Sequence, residues 1–340
     1  MRAAGPRVAV CVGRFAPLQH RHCQIIQAQL LRQDLVIVLC TGSTQARDVG
    51  NPWALSQRLA SLRAAVPDPR VVIVALGDCW YDDPRWAAAV TTTVTAACEQ
   101  AGFSAHAAQI TVVGTERAGP DYYASLFLNW SASAAVATHF EPQLAESLLL
   151  APAAARAALL NLHCPPAAHS GINEGLAGQV GLELAAEGAF VVDYRRAWAN
   201  APYPPVFVTV DALVCYHDQV LLVRRGRRSG LGLLALPGGF LDPGEALAAA
   251  AVRELREETG LQVPPHAAGT GRVFDHPLRS RRGRTITHLF EFDLSVLPAA
   301  PAVLGADDAA LALWLPRASL RAEDFFEDHY AILQVMLGLP

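Results

Sequence analysis

The 340-residue chain contains no lysine, and all 27 of its basic residues are arginine. That absence removes two kinds of chemistry at once. No phosphate-binding loop of the lysine type can be present, and no lysine can form a Schiff base. Aromatic residues are sparse at 7%, there are only 2 methionines, and charged residues make up 17%. The 7 cysteines (Cys11, Cys23, Cys40, Cys79, Cys98, Cys164 and Cys215) are odd in number, scattered, and never spaced C-x-x-C. This argues against both a disulfide framework and a structural zinc site. No apolar run approaches the ~20 residues of a membrane span, and the first residues have too short an apolar core for a signal peptide. A net charge of −4 gives no general attraction for nucleic acid. The expectation is a cytoplasmic protein with no nucleic-acid or membrane partner.

What is present is ample apolar material, 52% of residues, in two different rhythms. From residue 7 to 130, short apolar runs (Val8 to Val12, Leu35 to Cys40, Val71 to Leu76, Ile110 to Val113) alternate with helical patterns (Cys23 to Arg32, Leu55 to Val66, Trp86 to Gln100). Such alternation predicts βαβ units and a parallel sheet. Residues 140 to 200 read as less regular, closing on the proline-rich stretch Asn200 to Pro205. After Val206, strand patterns at 208–216 and 219–225 flank the turn His217-Asp218. Two more follow at 286–294 and 310–316, and a helix is predicted over 325–337. The expected organisation is an α/β domain over 1–165, a connecting segment over 166–204 and an α+β domain over 205–340.

One stretch carries chemistry openly. Gly239, Glu245, Arg253, Glu254, Glu257, Glu258 and Gly260 stand in the spacing G-x5-E-x7-R-E-U-x-E-E-x-G-U, with Leu255 and Leu261 at the aliphatic positions U. Asp242-Pro243-Gly244 is turn chemistry, Ala246 to Arg256 is rich in helix formers, and Gly260 suits the left-handed position after a last helical turn. Glu254, Glu257 and Glu258 are i,i+3 and i,i+4 neighbours on that helix and share a face. Three carboxylates there repel one another unless a cation lies between them, and a hard divalent ion with oxygen ligands is the natural partner.

This pattern resembles the Nudix box of hydrolases that cleave a nucleoside diphosphate linked to another group. The resemblance implies Mg²⁺, or Mn²⁺, held by Glu254, Glu257 and Glu258 with the Gly238 carbonyl, and a structural pair between Glu245 and Arg253. Residues 206 to 340 look like the Nudix half of bifunctional adenylyltransferase/Nudix proteins, which act as ADP-ribose pyrophosphatases. The segments Phe274 to Pro277 and Arg279 to His288 carry that likeness. On this reading Arg279, Arg281, Arg282 and Arg284 form a clamp for diphosphate or terminal ribose, Phe274 stacks on adenine, and His276 and His288 touch substrate. Asp307 or Asp308 supplies a general base or extra metal ligand.

A second motif, Gly13 to His22, resembles the G-R-F-x-P-x-H-x-G-H loop of nicotinamide mononucleotide adenylyltransferases, which cradles ATP at a helix N-terminus. Asn51-Pro52, Asp78, Tyr81, Asp83 and Trp86 extend the likeness, as do Gly114 to Arg117 and Asp121 to Trp130. The resemblance implies a Rossmann-like nucleotidyltransferase domain, with Gly13, Arg14, Phe15, His22, Gly114 and Arg156 as nucleotide-binding residues. The motif's first histidine is Gln19 here, and its glycine is Arg21. Three activities therefore stay open. They are a metal-dependent ADP-ribose pyrophosphatase releasing AMP and ribose 5-phosphate in NAD metabolism, an active adenylyltransferase using ATP and nicotinamide mononucleotide, and a sensor that binds nucleotide without cleaving it. A homodimer is compatible with each.

Overall fold

A computed structural model describes residues 5–115, 120–133 and 140–339. The chain divides into two compact units between Gly188 and Ala189.

The first unit holds β1 (Arg7–Gly13), α1 (His20–Leu30), β2 (Leu35–Cys40), α2 (Leu55–Ala65), β3 (Val71–Ala75), α3 (Asp83–Gln100), β4 (Gln109–Gly114), α4 (Pro120–Leu126) and β5 (Ser131–Ser133). The five strands form one parallel sheet in the order β3-β2-β1-β4-β5. This is the Rossmann-like α/β architecture expected from the alternation. Side chains of a strand alternate between faces, so β1 feeds two cores. Ala9 and Cys11 pack with Ile25, Ile26 and Leu62, while Val8, Val10 and Val12 pack with Val90, Val94 and Phe127. Burial on both faces explains why these strands read as unbroken apolar runs. The chain reverses direction of winding between β1 and β4, so Gly13 and Gly114 mark the carboxyl-edge crevice where such sheets take ligands.

Residues 140–200 are more ordered than their composition suggests. They contain α5 (Leu144–Leu150), α6 (Ala153–His163), α7 (His169–Leu176) and α8 (Gly178–Ala197). Alanine and leucine supply the helix propensity, the prolines fall between these helices rather than inside them, and Gly178 (φ +74°) opens α8. Most of 166–204 is thus helical, and α8 runs through the division between the units. No single helix among the described residues is long and apolar enough to cross a membrane.

The second unit contains β6 (Val206–Tyr216), β7 (Gln219–Arg225), β8 (Leu234–Ala235), β9 (Gly238–Phe240), α9 (Leu247–Thr259), β10 (Arg272–Phe274), β11 (Arg284–Asp293), β12 (Ala309–Pro316) and α10 (His329–Leu337). Its mixed sheet runs β10-β11-β6-β7-β12, with β8 on β7 and β9 on β6. Only the β6–β11 pair is parallel. Helix α9 buries Ala250, Ala251 and Leu255 against Val210, Ala212 and Val214 of β6 and Leu221 and Val223 of β7. Gly260 ends it at φ +71°, the left-handed cap expected there.

One buried histidine makes this unit sensitive to acid. His329 Nδ1 accepts a hydrogen bond from the Leu236 N–H at 3.1 Å, so its ring is neutral. Burial pushes its pKa down to about 3. The unfolded chain takes up a proton near pH 6.5 that the folded chain refuses, so this stability is present above pH 6.5 and is lost as pH falls toward 3. Between pH 7.5 and pH 5, urea unfolding of the wild type should show about 2 kcal/mol more loss of stability than His329→Gln shows over the same range.

Candidate active site

The box folds as a loop laid back on its own helix. Arg253, on α9, is the hub. Its Nε and Nη2 donate to Glu245 at 3.0–3.2 Å, its Nη1 to Glu254 at 2.8 Å and Glu257 at 3.1 Å, and its Nη2 also to the Phe240 carbonyl at 3.1 Å. One guanidinium therefore ties β9, the turn and the helix together. These carboxylates hold its pKa above the usual arginine value, with the Glu245 hydrogen bonds the largest cause.

Glycine at 238 and 239 follows from the same closeness. A Cβ on Gly239 would overlap the Glu254 carboxylate, and one on Gly238 would overlap the Val210 carbonyl and the Asp211 side chain. With both positions bare, the Gly238 N–H donates to Glu258 Oε2 at 2.9 Å. Glu258 is buried, and burial raises its pKa to about 8, with the charges of Glu254 and Asp211 adding to the rise. Burial also raises Glu254, against the pull of Arg253.

Among the described residues, no three His, Cys, Asp or Glu side chains converge as a finished metal shell. Glu257 leans instead to Arg253 and Arg256. The donor set nevertheless fits a hard cation. Two carboxylates, Glu254 and Glu258, are held out of water beside a backbone that cannot carry side chains; burial raises the pKa of each, and the charge of Glu254 raises Glu258 further.

A family model described as NUDIX domain matches residues 206–336. Over the whole chain, the structure is similar to the bifunctional NMN adenylyltransferase/ADP ribose pyrophosphatase of Francisella tularensis, solved in complex with AMP and a Mn ion. The TM-score is 0.85 at 29% identity, covering 98% of this chain and 99% of that one. Residues 206–336 are a Nudix domain, and the whole chain is similar to a two-domain protein of that kind. Among curated relatives it is 39% identical over 87 residues to the ADP-ribose pyrophosphatase of Methanocaldococcus jannaschii, and 35% identical over 100 residues to the 8-oxo-dGDP phosphatase NUDT18 of Homo sapiens. The matched regions span 50% and 31% of those relatives' lengths, and 26% and 27% of this chain.

In this Nudix domain the arginines between β10 and β11 part company. Arg279 is buried and donates to both carboxylate oxygens of Asp328, at 2.9 and 3.1 Å, with Asp211 at 3.8 Å. Asp211 also accepts from the Thr287 hydroxyl at 2.6 Å. Arg279 thus belongs to a buried structural network rather than an open clamp. Arg284 turns to Asp275, and the backbone of Arg281 is held by the Glu327 carboxylate and by Arg195. Arg282 is half-buried against aromatic rings.

Phe274 is a correction. Its ring is 1% exposed, seated in β10 opposite Thr287 with Arg272 over it, and offers no face to an adenine. A three-residue edge strand was not visible in the sequence, so its burial was not either. His276 Nδ1 accepts from Leu278 N–H within its own turn, and His288 lies half-buried on β11.

The two aspartates also separate. Asp308 pairs with Arg227 at 2.7 Å, and its carbonyl accepts from Gly226 N–H. Asp307 adopts φ 52°, strained for a residue with a side chain. Its loop is pinned to the end of α9 by the bonds Leu304 N–H to Thr259 carbonyl and Ala306 N–H to Glu258 carbonyl, and its charge acts on Glu254.

In the first unit, the nucleotide-motif residues are tied down. The side-chain amide of Gln19 donates to the Glu141 carbonyl at 2.9 Å and accepts from the Glu141 N–H at 3.1 Å. His22 Nδ1 accepts from the Gln19 N–H at 3.0 Å, and burial pushes the imidazole down to about 3. Phe15 is buried at φ 52° with its ring edge-on to His22. Arg14 bonds Asp78 at 3.2 Å, and Asp78 also accepts from the Gly42 N–H. Arg156 donates to the Leu148 and Ala151 carbonyls and caps α5. Gly114 ends β4, Thr115 donates back to the Val12 carbonyl, and Glu116 and Arg117 lie outside the described residues.

The contrast between the aspartates is measurable. Asp307→Asn should lower kcat of the hydrolase by on the order of 10-fold or more, the scale for residues supporting a metal site. Asp308→Asn should stay within about twofold of wild type, since an exposed ion pair contributes little.

Proposed function

We propose that this chain is a divalent-metal-dependent ADP-ribose pyrophosphatase that acts in the cytoplasm, releasing AMP and ribose 5-phosphate. The observation that carries the reading is the placement of Glu254 and Glu258 on one face of α9, desolvated against the bare backbone of Gly238 and Gly239. The likeness to ADP-ribose pyrophosphatases from an archaeon and from Francisella supports the substrate class.

Mg²⁺ or Mn²⁺, when bound, neutralises the diphosphate and activates the attacking water. Glu254 and Glu258 would hold it, with the Gly238 carbonyl and Glu257 as further donors. The chain's own contribution is placement. Arg253 fixes the orientation of Glu254 and of the β9 backbone, the Gly238 N–H fixes one oxygen of Glu258, and the strained Asp307 brings a further carboxylate toward Glu254. Water attacks one phosphorus, the bridging P–O bond breaks, and its oxygen leaves on the other phosphate, which gives the two monophosphates.

For the first unit we infer a nucleotide-binding scaffold that does not transfer adenylyl groups. A transition-state donor must be aimed at the developing charge. Both ends of the Gln19 amide are spent on the Glu141 backbone, and His22 is buried and uncharged.

Two assays on the full chain test these readings. AMP release from ADP-ribose should require Mg²⁺ or Mn²⁺ and should fall in Glu258→Gln by more than the ~10–100-fold that supporting residues of a metal site cost. Turnover of no nucleoside diphosphate derivative in a broad panel would refute the hydrolase reading. With ATP and nicotinamide mononucleotide, pyrophosphate release should stay at background, and a rate above it would refute the scaffold reading.

A further inference from the structure

The last turns of α8 fall in the stretch expected to be a connector, yet they are built into the second unit. Phe190, Tyr194 and Trp198 stand four residues apart, on one face of the helix. The rings of Phe190 and Tyr194 are 6.3 Å apart, and Tyr194 and Trp198 meet Phe207 edge-on at 5.7 and 5.3 Å. Phe207, near the start of β6, meets Phe240 of β9 at 5.9 Å. Its ring also lies against Gly283, where an added Cβ would be 3.0 Å away. An aromatic ladder thus joins the end of α8 to the strand that opens the box and to the segment before β11.

Two arginines lie in the last turn of α8, where a helix favours cations whatever else they do. Arg196 is exposed and pairs with Asp193 on its own helix. Arg195 leaves the helix. Its Nε and Nη2 both donate to the Arg281 carbonyl, at 2.8 and 2.7 Å, across 86 positions of sequence. A charged fork on one backbone oxygen holds that peptide more firmly than a neutral donor does. The Arg281 N–H in turn donates to the Glu327 carboxylate at 3.3 Å. Arg281 is therefore gripped at both backbone groups, with Phe207 packed on Gly283 two residues further on. The side chain between them, Arg282, is the one that lies 5.4 Å from the ring of Phe240.

We propose that Arg195 is a positioning residue of the hydrolase: by holding the Arg281 carbonyl it sets residues 281–284 beside the box, so the working hydrolase starts before Phe190 and not at 205. This rests on the reading of the second unit as an ADP-ribose hydrolase whose arginine segment meets the substrate. The carboxylates of the box are held separately, by Arg253 and by the Gly238 N–H. Loss of Arg195 therefore falls on substrate binding and spares the chemical step.

Kinetics of the full chain with ADP-ribose and Mn²⁺ separate the two effects. Arg195→Gln should raise KM about 10-fold, the scale of one hydrogen bond from a charged group, with kcat within about twofold of wild type. Arg195→Lys keeps a charged donor without the fork and should fall between Arg195→Gln and wild type; it carries the test should Arg195→Gln fail to fold. Arg196→Gln, one residue along the same helix, should match wild type, since an exposed ion pair contributes little. Hydrogen exchange reads the same point without turnover: the amides of residues 281–284 should exchange about 10-fold faster in Arg195→Gln and at the wild-type rate in Arg196→Gln. KM unchanged in both Arg195 variants would overturn the proposal. So would a fall in kcat at constant KM, or equal losses in the two variants that track a drop in melting temperature, which is general support of the fold. A wild type that cleaves no ADP-ribose, with exchange still faster in Arg195→Gln, would overturn the substrate reading and leave the anchoring of the segment standing.

Discussion

The site depends on how closely two backbones approach. Strand β9 lies so near strand β6 and helix α9 that neither Gly238, against Val210 and Asp211, nor Gly239, against Glu254, can carry a side chain. That contact lets a backbone N–H reach Glu258 and lets Glu254 lie flat against the chain. Desolvation follows, and with it the raised pKa values of both carboxylates. Arg253 makes the approach stable by bonding the turn, the strand and the helix at once. The glutamates supply charge, but the glycines and Arg253 determine where the charge stands.

A chain whose only long cation is arginine solves several problems with one group. Arg253 is a hub among carboxylates, Arg279 is buried between Asp211 and Asp328, Arg156 caps a helix, and Arg58 is buried in the first unit among the carbonyls of Arg14, Thr41 and Gly42. A planar fork with five donors suits each of these seats. Arg225 and Arg282 differ in that both lie against the Phe326 ring, with the buried Glu327 acting on each.

The two units tell different stories about the same kind of evidence. In the second, every position of the box is filled, and Glu254 and Glu258 stand beside β9 while Glu257 turns to Arg253 and Arg256. In the first, the strand order and the crevice between β1 and β4 persist while the polar groups at its mouth have been drawn into the scaffold. Gln19 illustrates this. It holds the segment at Glu141 with two hydrogen bonds, a structural use that a histidine at that position could not reproduce in the same way.

Both sheets' main strands, the box helix and its left-handed cap were legible in the sequence because each is a local matter of periodicity, propensity and turn chemistry. The helices over 144–197 were missed because prolines between helices look like prolines within a loop, and the two- and three-residue strands β5, β8, β9 and β10 were missed because they exist only through their partners. The glutamate face was legible for the same local reason, since i,i+3 and i,i+4 spacing fixes a face on any helix. Which arginines are free, whether Phe274 is core, and which aspartate faces Glu254 were not. Those outcomes depend on neighbours brought together from distant parts of the chain: Asp328 for Arg279, Thr287 for Phe274, Arg227 for Asp308 and Phe326 for Arg225. Local spacing determined which carboxylates share a face of the box helix, and tertiary contact alone decided which charges are paired, because a counter-ion is brought to a side chain only by folding.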